Sequence, residues 1–168
     1  SEINTPLAVF PTSMGGATYQ DAGTVKFNSM ALAKQSNNSY LYTDYANPVT
    51  YDQVHWNVSG SSGVPVIDYI EDKPVPEFAN QSTLPTTVSR TAGLNIDLGS
   101  LISNADSVYV EVISASNSKT VLKRMGGNTS SVSFSASDLS VLGAGSGYLE
   151  VVPWNLKTED INSKMYYF

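Results

Sequence analysis

Short runs in which apolar and polar residues alternate, broken by Gly, Pro, Asn and Ser, recur along the whole chain. Successive side chains of a strand point to opposite faces, so this alternation predicts half-buried β-strands. In the first half it predicts strands at 7–10, 24–27, 39–43, 50–58 and 64–70. The clearest is Tyr51-Asp52-Gln53-Val54-His55-Trp56-Asn57-Val58, where Val54, Trp56 and Val58 share one face and Gln53, His55 and Asn57 the other. In the second half Leu94-Asn95-Ile96-Asp97-Leu98 alternates strictly, and Ser107-Val108-Tyr109-Val110-Glu111-Val112-Ile113 is nearly continuous in β-formers. Further strands are expected at 119–123, 131–135, 148–152 and 164–168. The one helical signal is Ser137-Asp138-Leu139-Ser140-Val141-Leu142, which has an N-cap residue and Gly143 as a stop and predicts a single turn at most.

The breakers divide these runs. Gly60-Ser61-Ser62-Gly63 and Met14-Gly15-Gly16 supply residues that tolerate positive φ, and Asn47-Pro48 begins a turn. Lys73-Pro74-Val75-Pro76-Glu77-Phe78 is not a central strand, because two prolines remove ladder donors. With Leu84-Pro85 it brackets a polar connection, and a domain boundary is placed there. The fold class expected is all-β: two tandem immunoglobulin-like antiparallel β-sandwiches, residues 1–78 and 79–168. A single large sandwich or barrel is the rival arrangement.

Composition narrows the class. Of the 168 residues only 14% are charged and 41% are hydrophobic, which fits a globular, strand-rich and exported chain. There is no cysteine, so disulfides, thiolate nucleophiles and cysteine-based zinc sites are excluded. The net charge is −6 and uneven: residues 1–80 carry three basic against eight acidic groups, residues 81–168 six against seven. No basic stripe is present, so neither nucleic acid nor an anionic membrane surface is an expected partner. No apolar run approaches the roughly 20 residues of a membrane span. Ser1-Glu2 opens no signal-peptide core, and the expectation is that any such segment was removed or never existed.

Candidate chemistry is sparse. Gly60-Ser61-Ser62-Gly63 lacks the G-x-S-x-G spacing of a nucleophile elbow, and the element after it is a strand. A Ser–His–Asp triad through His55, the one histidine, rests on geometry that abundance of serine does not supply. Trp56 is read as core, His55 as facing solvent or the sheet's other side, and the glycines as a turn. One histidine and no cysteine leave oxygen ligands for a metal. Asp68-Tyr69-Ile70-Glu71-Asp72 is the densest carboxylate cluster, but no calcium-loop motif occurs, so no metal or other cofactor is expected. The aromatics are mostly cross-strand and core partners. Tyr45, in a loop, and Trp154, after Pro153 at a strand end, are the two candidates for exposed binding residues.

Asp21-Ala22-Gly23-Thr24-Val25, Ser36-Asn37-Asn38-Ser39-Tyr40 and Trp56-Asn57-Val58-Ser59-Gly60 resemble exported proteins of Bacteroidetes-type bacteria. Gly147-Tyr148-Leu149-Glu150-Val151-Val152-Pro153-Trp154-Asn155, ahead of Lys164-Met165-Tyr166-Tyr167-Phe168, has the same character. The resemblance implies paired immunoglobulin-like domains outside the cytoplasm and no catalytic residues to carry over. The functional expectation is a non-catalytic binding, adhesion or spacer module of the cell envelope, periplasmic, surface-bound or secreted, with a glycan or a cell-surface protein as partner. Two other readings stand beside it. A structural or assembly subunit of a surface appendage predicts unpaired edge strands, with 164–168 a candidate. A hydrolase predicts a cleft in which His55 meets a serine and a carboxylate.

Overall fold

The computed structural model describes residues 5–47, 49 and 54–168. Among them the chain is nearly all-β, with sixteen strands, one 3-10 turn and one single-turn helix. In chain order the strands are β1 (Leu7–Ala8), β2 (Val25–Phe27), β3 (Met30–Ala31), β4 (Ala33–Lys34), β5 (Tyr40–Leu41), β6 (Val54–Val58) and β7 (Ile67–Glu71). There follow β8 (Glu77–Phe78), β9 (Leu94–Asp97), β10 (Ile102–Ser103), β11 (Ser107–Ser114), β12 (Lys119–Gly126) and β13 (Ser131–Phe134). Helix α1 (Ala136–Leu139) precedes β14 (Gly147–Trp154), and β15 (Thr158–Ile161) and β16 (Lys164–Tyr167) close the chain. Every strand pairing among the described residues is antiparallel. No helix among the described residues is long and apolar enough to cross a membrane.

The chain divides into two compact units, Ser1–Pro74 with Thr158–Phe168, and Val75–Lys157. In the first unit a four-stranded sheet β3-β2-β6-β7 and a three-stranded sheet β1-β5-β4 share one apolar interior. Val25, Phe27, Tyr40 and Ile67 are its innermost side chains. Strands β2 and β3 are joined by Asn28 and Ser29, both with positive φ, and β15 and β16 by Asn162 and Ser163, likewise. Two successive residues of positive φ suit a two-residue hairpin, because their backbone twist matches that of the flanking strands.

The second unit carries the three-stranded sheet β12-β11-β14 and the pairs β13-β9 and β10-β8. Val108, Val110 and Val112 point from β11 into its core, where they meet Leu98, Phe134 and Leu139. Its helix is capped by Ser135 rather than by Ser137. The Ser135 hydroxyl accepts the Asp138 N–H, while the Asp138 carboxylate accepts the Ser135 N–H. This reciprocal box satisfies two donors that a helix start leaves free.

Several elements differ from the sequence expectation. Residues 50–53 of the 50–58 strand lie outside the described residues, and the described part is β6. The 64–70 strand starts only at Ile67, after Pro65, although Val64 is already buried. The sequence reading did not foresee β3, β4, β10 and β15: the first three have two residues each, too few for an alternation to register, and β15, Thr158-Glu159-Asp160-Ile161, has one apolar residue to mark a face. The sequence reading assigned residues 79–168 to the second unit, whereas contacts group Thr158–Phe168 with the first. The reason is burial: Ile161, Tyr166 and Phe168 pack against the first unit's core.

Candidate functional site

An open apolar groove of about 720 Å³ lies in the first unit, within the 300–1,000 Å³ range of ligand sites. Residues 7–15 form one wall and residues 164–168 another, while Trp56, Val58, Val64 and Ile67 face it from the core. The sequence dictates these parts locally. Alternation in β6 turns Trp56 and Val58 to the interior face, and the Trp56 ring meets Phe27 edge-on with centroids 4.9 Å apart. Beyond β6 the chain turns at Gly60, whose φ is +80° and whose ideal Cβ would stand 2.9 Å from the Val66 nitrogen. Only glycine avoids both the left-handed strain and that approach. The turn delivers Val64 and Ile67 to the groove.

Lys164 supplies the one charged side chain among the described residues that line the groove. Its Nζ donates to the Gly63 carbonyl at 2.5 Å, which leaves two of its three donors for other partners. Burial pushes the Tyr166 phenol up from its ordinary pKa, so at neutral pH the groove meets a neutral hydroxyl there. Next to the groove, burial and then a 2.6 Å hydrogen bond to Glu71 push the Tyr69 phenol well above the tyrosine range. Leu7, Met14, Met165 and Tyr167 are exposed around the groove.

The sequence-selected aromatics lie elsewhere. Tyr45 is 65% exposed on a turn held by Asn47, whose amide donates to Asp44 Oδ2 at 2.8 Å. Trp154 is half-buried on the outer side of β12-β11-β14. Its ring lies 5.2 Å from that of Tyr109, and the Arg124 guanidinium sits over it at 5.0 Å. The Trp154 indole N–H is buried with no hydrogen-bond partner among the described residues. The two candidates belong to different units, each with its own surroundings.

His55 meets a carboxylate, with Nε2 2.5 Å from Asp68 Oδ1; among the described residues no hydroxyl hydrogen-bonds its ring. The neighbouring serines hold backbone instead. Ser59 Oγ accepts the Thr24 N–H, and Ser61 Oγ donates to the Asp21 carbonyl. No three His, Cys, Asp or Glu residues gather to hold a metal among the described residues.

Sequence reasoning selected Trp56 as core but missed that its ring also borders an open groove. It missed Phe10 and Tyr166 as groove residues altogether. The exposed-edge expectation for 164–168 was the one signal that touched this site, since those residues form its second wall. No protein-family model, curated protein or solved structure matches the chain.

Proposed function

We propose that this protein is a non-catalytic, exported binding module of the cell envelope, immunoglobulin-like in its sandwiches, that works by receiving an apolar part of a partner in the groove of its first unit. The low charge content and absence of cysteine support export. The observation that carries the binding reading is the groove itself: about 720 Å³, open, and lined mainly by apolar side chains, with Thr12, Ser13 and Gln20 polar and Lys164 the one charge among the described residues that line it. An exposed apolar concavity costs solubility, and such a surface marks a site of interaction. The carbohydrate reading has weaker support, because the guanidinium of Arg124 covers the Trp154 face on which a sugar would stack.

The neutral dye N-phenyl-1-naphthylamine tests this reading in the full chain. Saturable fluorescence enhancement at one site per chain is expected, and it should disappear in the double variant Leu7→Asp, Met165→Asp. Both positions are exposed, so thermal unfolding should change little. Absence of a saturable site, or equal dye binding by the double variant, overturns the proposal.

A further inference from the structure

Each wall of the groove includes a strand, β1 in the first and β16 in the second. Among the described residues, β1 has β5 on one side and no strand on the other, and β16 has only β15. Neither β5 nor β15 borders the groove, yet both residues of β1 and all four of β16 do. A strand presents alternate residues from a face but every residue from an edge.

The direction of the main-chain groups in β1 agrees. The Pro6 carbonyl accepts the Tyr42 N–H, Ala8 stands opposite Tyr40, and the Phe10 carbonyl accepts the Gln20 N–H. Residues 6, 8 and 10 thus point their polar backbone groups to the occupied side. Backbone hydrogen-bonding direction alternates along an antiparallel strand, so the N–H and C=O of Leu7 and Val9 face the free side. An unpaired edge of this kind is a template for another strand.

The geometry points to a β-strand of a partner protein as the occupant, laid against the free edges of β1 and β16, with alternate apolar side chains sinking toward Trp56 and Ile67 and a carboxylate at the Lys164 end. This deepens the binding reading above and rests on it. Main-chain hydrogen bonds would supply affinity and the apolar floor would select the side chains, as in strand-addition recognition. Charge complementarity fixes the acidic end, because Lys164 is the lone charge among the described lining residues and keeps two donors free. A second copy of this chain is a poorer donor. Its strongly alternating described runs, such as Val54–Val58 and Ser107–Ser114, are already paired within its own sheets.

The test uses the full chain and a labelled, end-blocked peptide, Asp-Val-Thr-Val-Thr-Val-Thr. Saturable binding is expected, with new hydrogen-exchange protection at the amides of Leu7 and Val9 and at alternate amides within residues 164–167. N-methylation of alternate peptide nitrogens leaves the side chains in place but removes donors, and should weaken binding about tenfold or more. Replacing the leading Asp by Asn should weaken binding to the native chain, and the Lys164→Met variant should lose that preference. Dye binding without peptide binding, or equal affinity for the N-methylated peptide, overturns the strand while leaving the apolar groove standing. Peptide-independent self-association that protects the same amides overturns the partner assignment. Failure of both dye and peptide removes the binding reading as well.

Discussion

The Phe168 ring lies flat on Tyr69, with centroids 3.9 Å apart and planes 18° from parallel. This stack ties the β15–β16 hairpin to β7, whose Tyr69 is a core residue of the first unit. A hairpin of two four-residue strands has little stability in water without such packing. The second wall of the groove therefore depends on an aromatic contact made far from it in sequence.

Phe168→Ala should cost the first unit about 2 kcal/mol, less than a fully buried Phe because the ring is only partly enclosed. Hydrogen exchange reads this by region. Protection should fall in β6, β7, β15 and β16 while β11 keeps its own; a uniform loss across both units would contradict the anchoring role.

Tyr40 is 1% exposed, and its hydroxyl accepts the Ala22 N–H and donates to Asp21 Oδ1, each at 2.9 Å. Tyr40→Phe keeps the ring and its edge-on contact with Phe10 but strands the N–H of a fully buried residue. The expected loss is about 1–3 kcal/mol, measured by denaturant unfolding. An unchanged midpoint would mean that the amide finds another acceptor.

Asp21 sits in a fork of donors: the Lys34 ammonium at 2.8 Å, the Gly23 N–H and the Tyr40 hydroxyl. Lys34 first, then Gly23 and Tyr40, lower its carboxyl from 3.8 to about 2. The ionised form is thus favoured by folding, and its contribution is complete above the unfolded value and fades as pH falls from about 4 toward 2. Thermal unfolding of Asp21→Asn should lie below that of the native protein at pH 6, and the two curves should converge near pH 2. The gap at pH 6 should also narrow in salt, since the pair is exposed.

Ser135→Ala removes one half of the capping box and should cost the second unit about 1 kcal/mol. Ser137→Ala serves as the control, being the cap position that the sequence pattern suggested. Equal effects in urea unfolding would count against the observed helix start.

Period-two alternation foretold β11 and β6 because each is long enough for several side chains to repeat the pattern on one face. The valines of β11 are buried as that pattern requires. Candidate binding residues were less legible. Tyr45 was chosen as a loop aromatic and is exposed, but Trp154 is half-covered by Arg124 from a neighbouring part of the same sheet. Exposure of a strand-end aromatic depends on what the adjacent strands place over it, which no local pattern records.

By itself the sequence determined the longer strands, such as β6 and β11, and which of their faces turn inward, because alternation and turn chemistry act over a few neighbouring residues. Tertiary structure alone decided that residues 158–168 group with the first unit, and that, among the described residues, β1 and β16 keep one side free around a groove. Every strand carries donors and acceptors along both edges. Whether an edge is filled is settled by segments distant in the chain, through closures that leave no mark in the local order of residues.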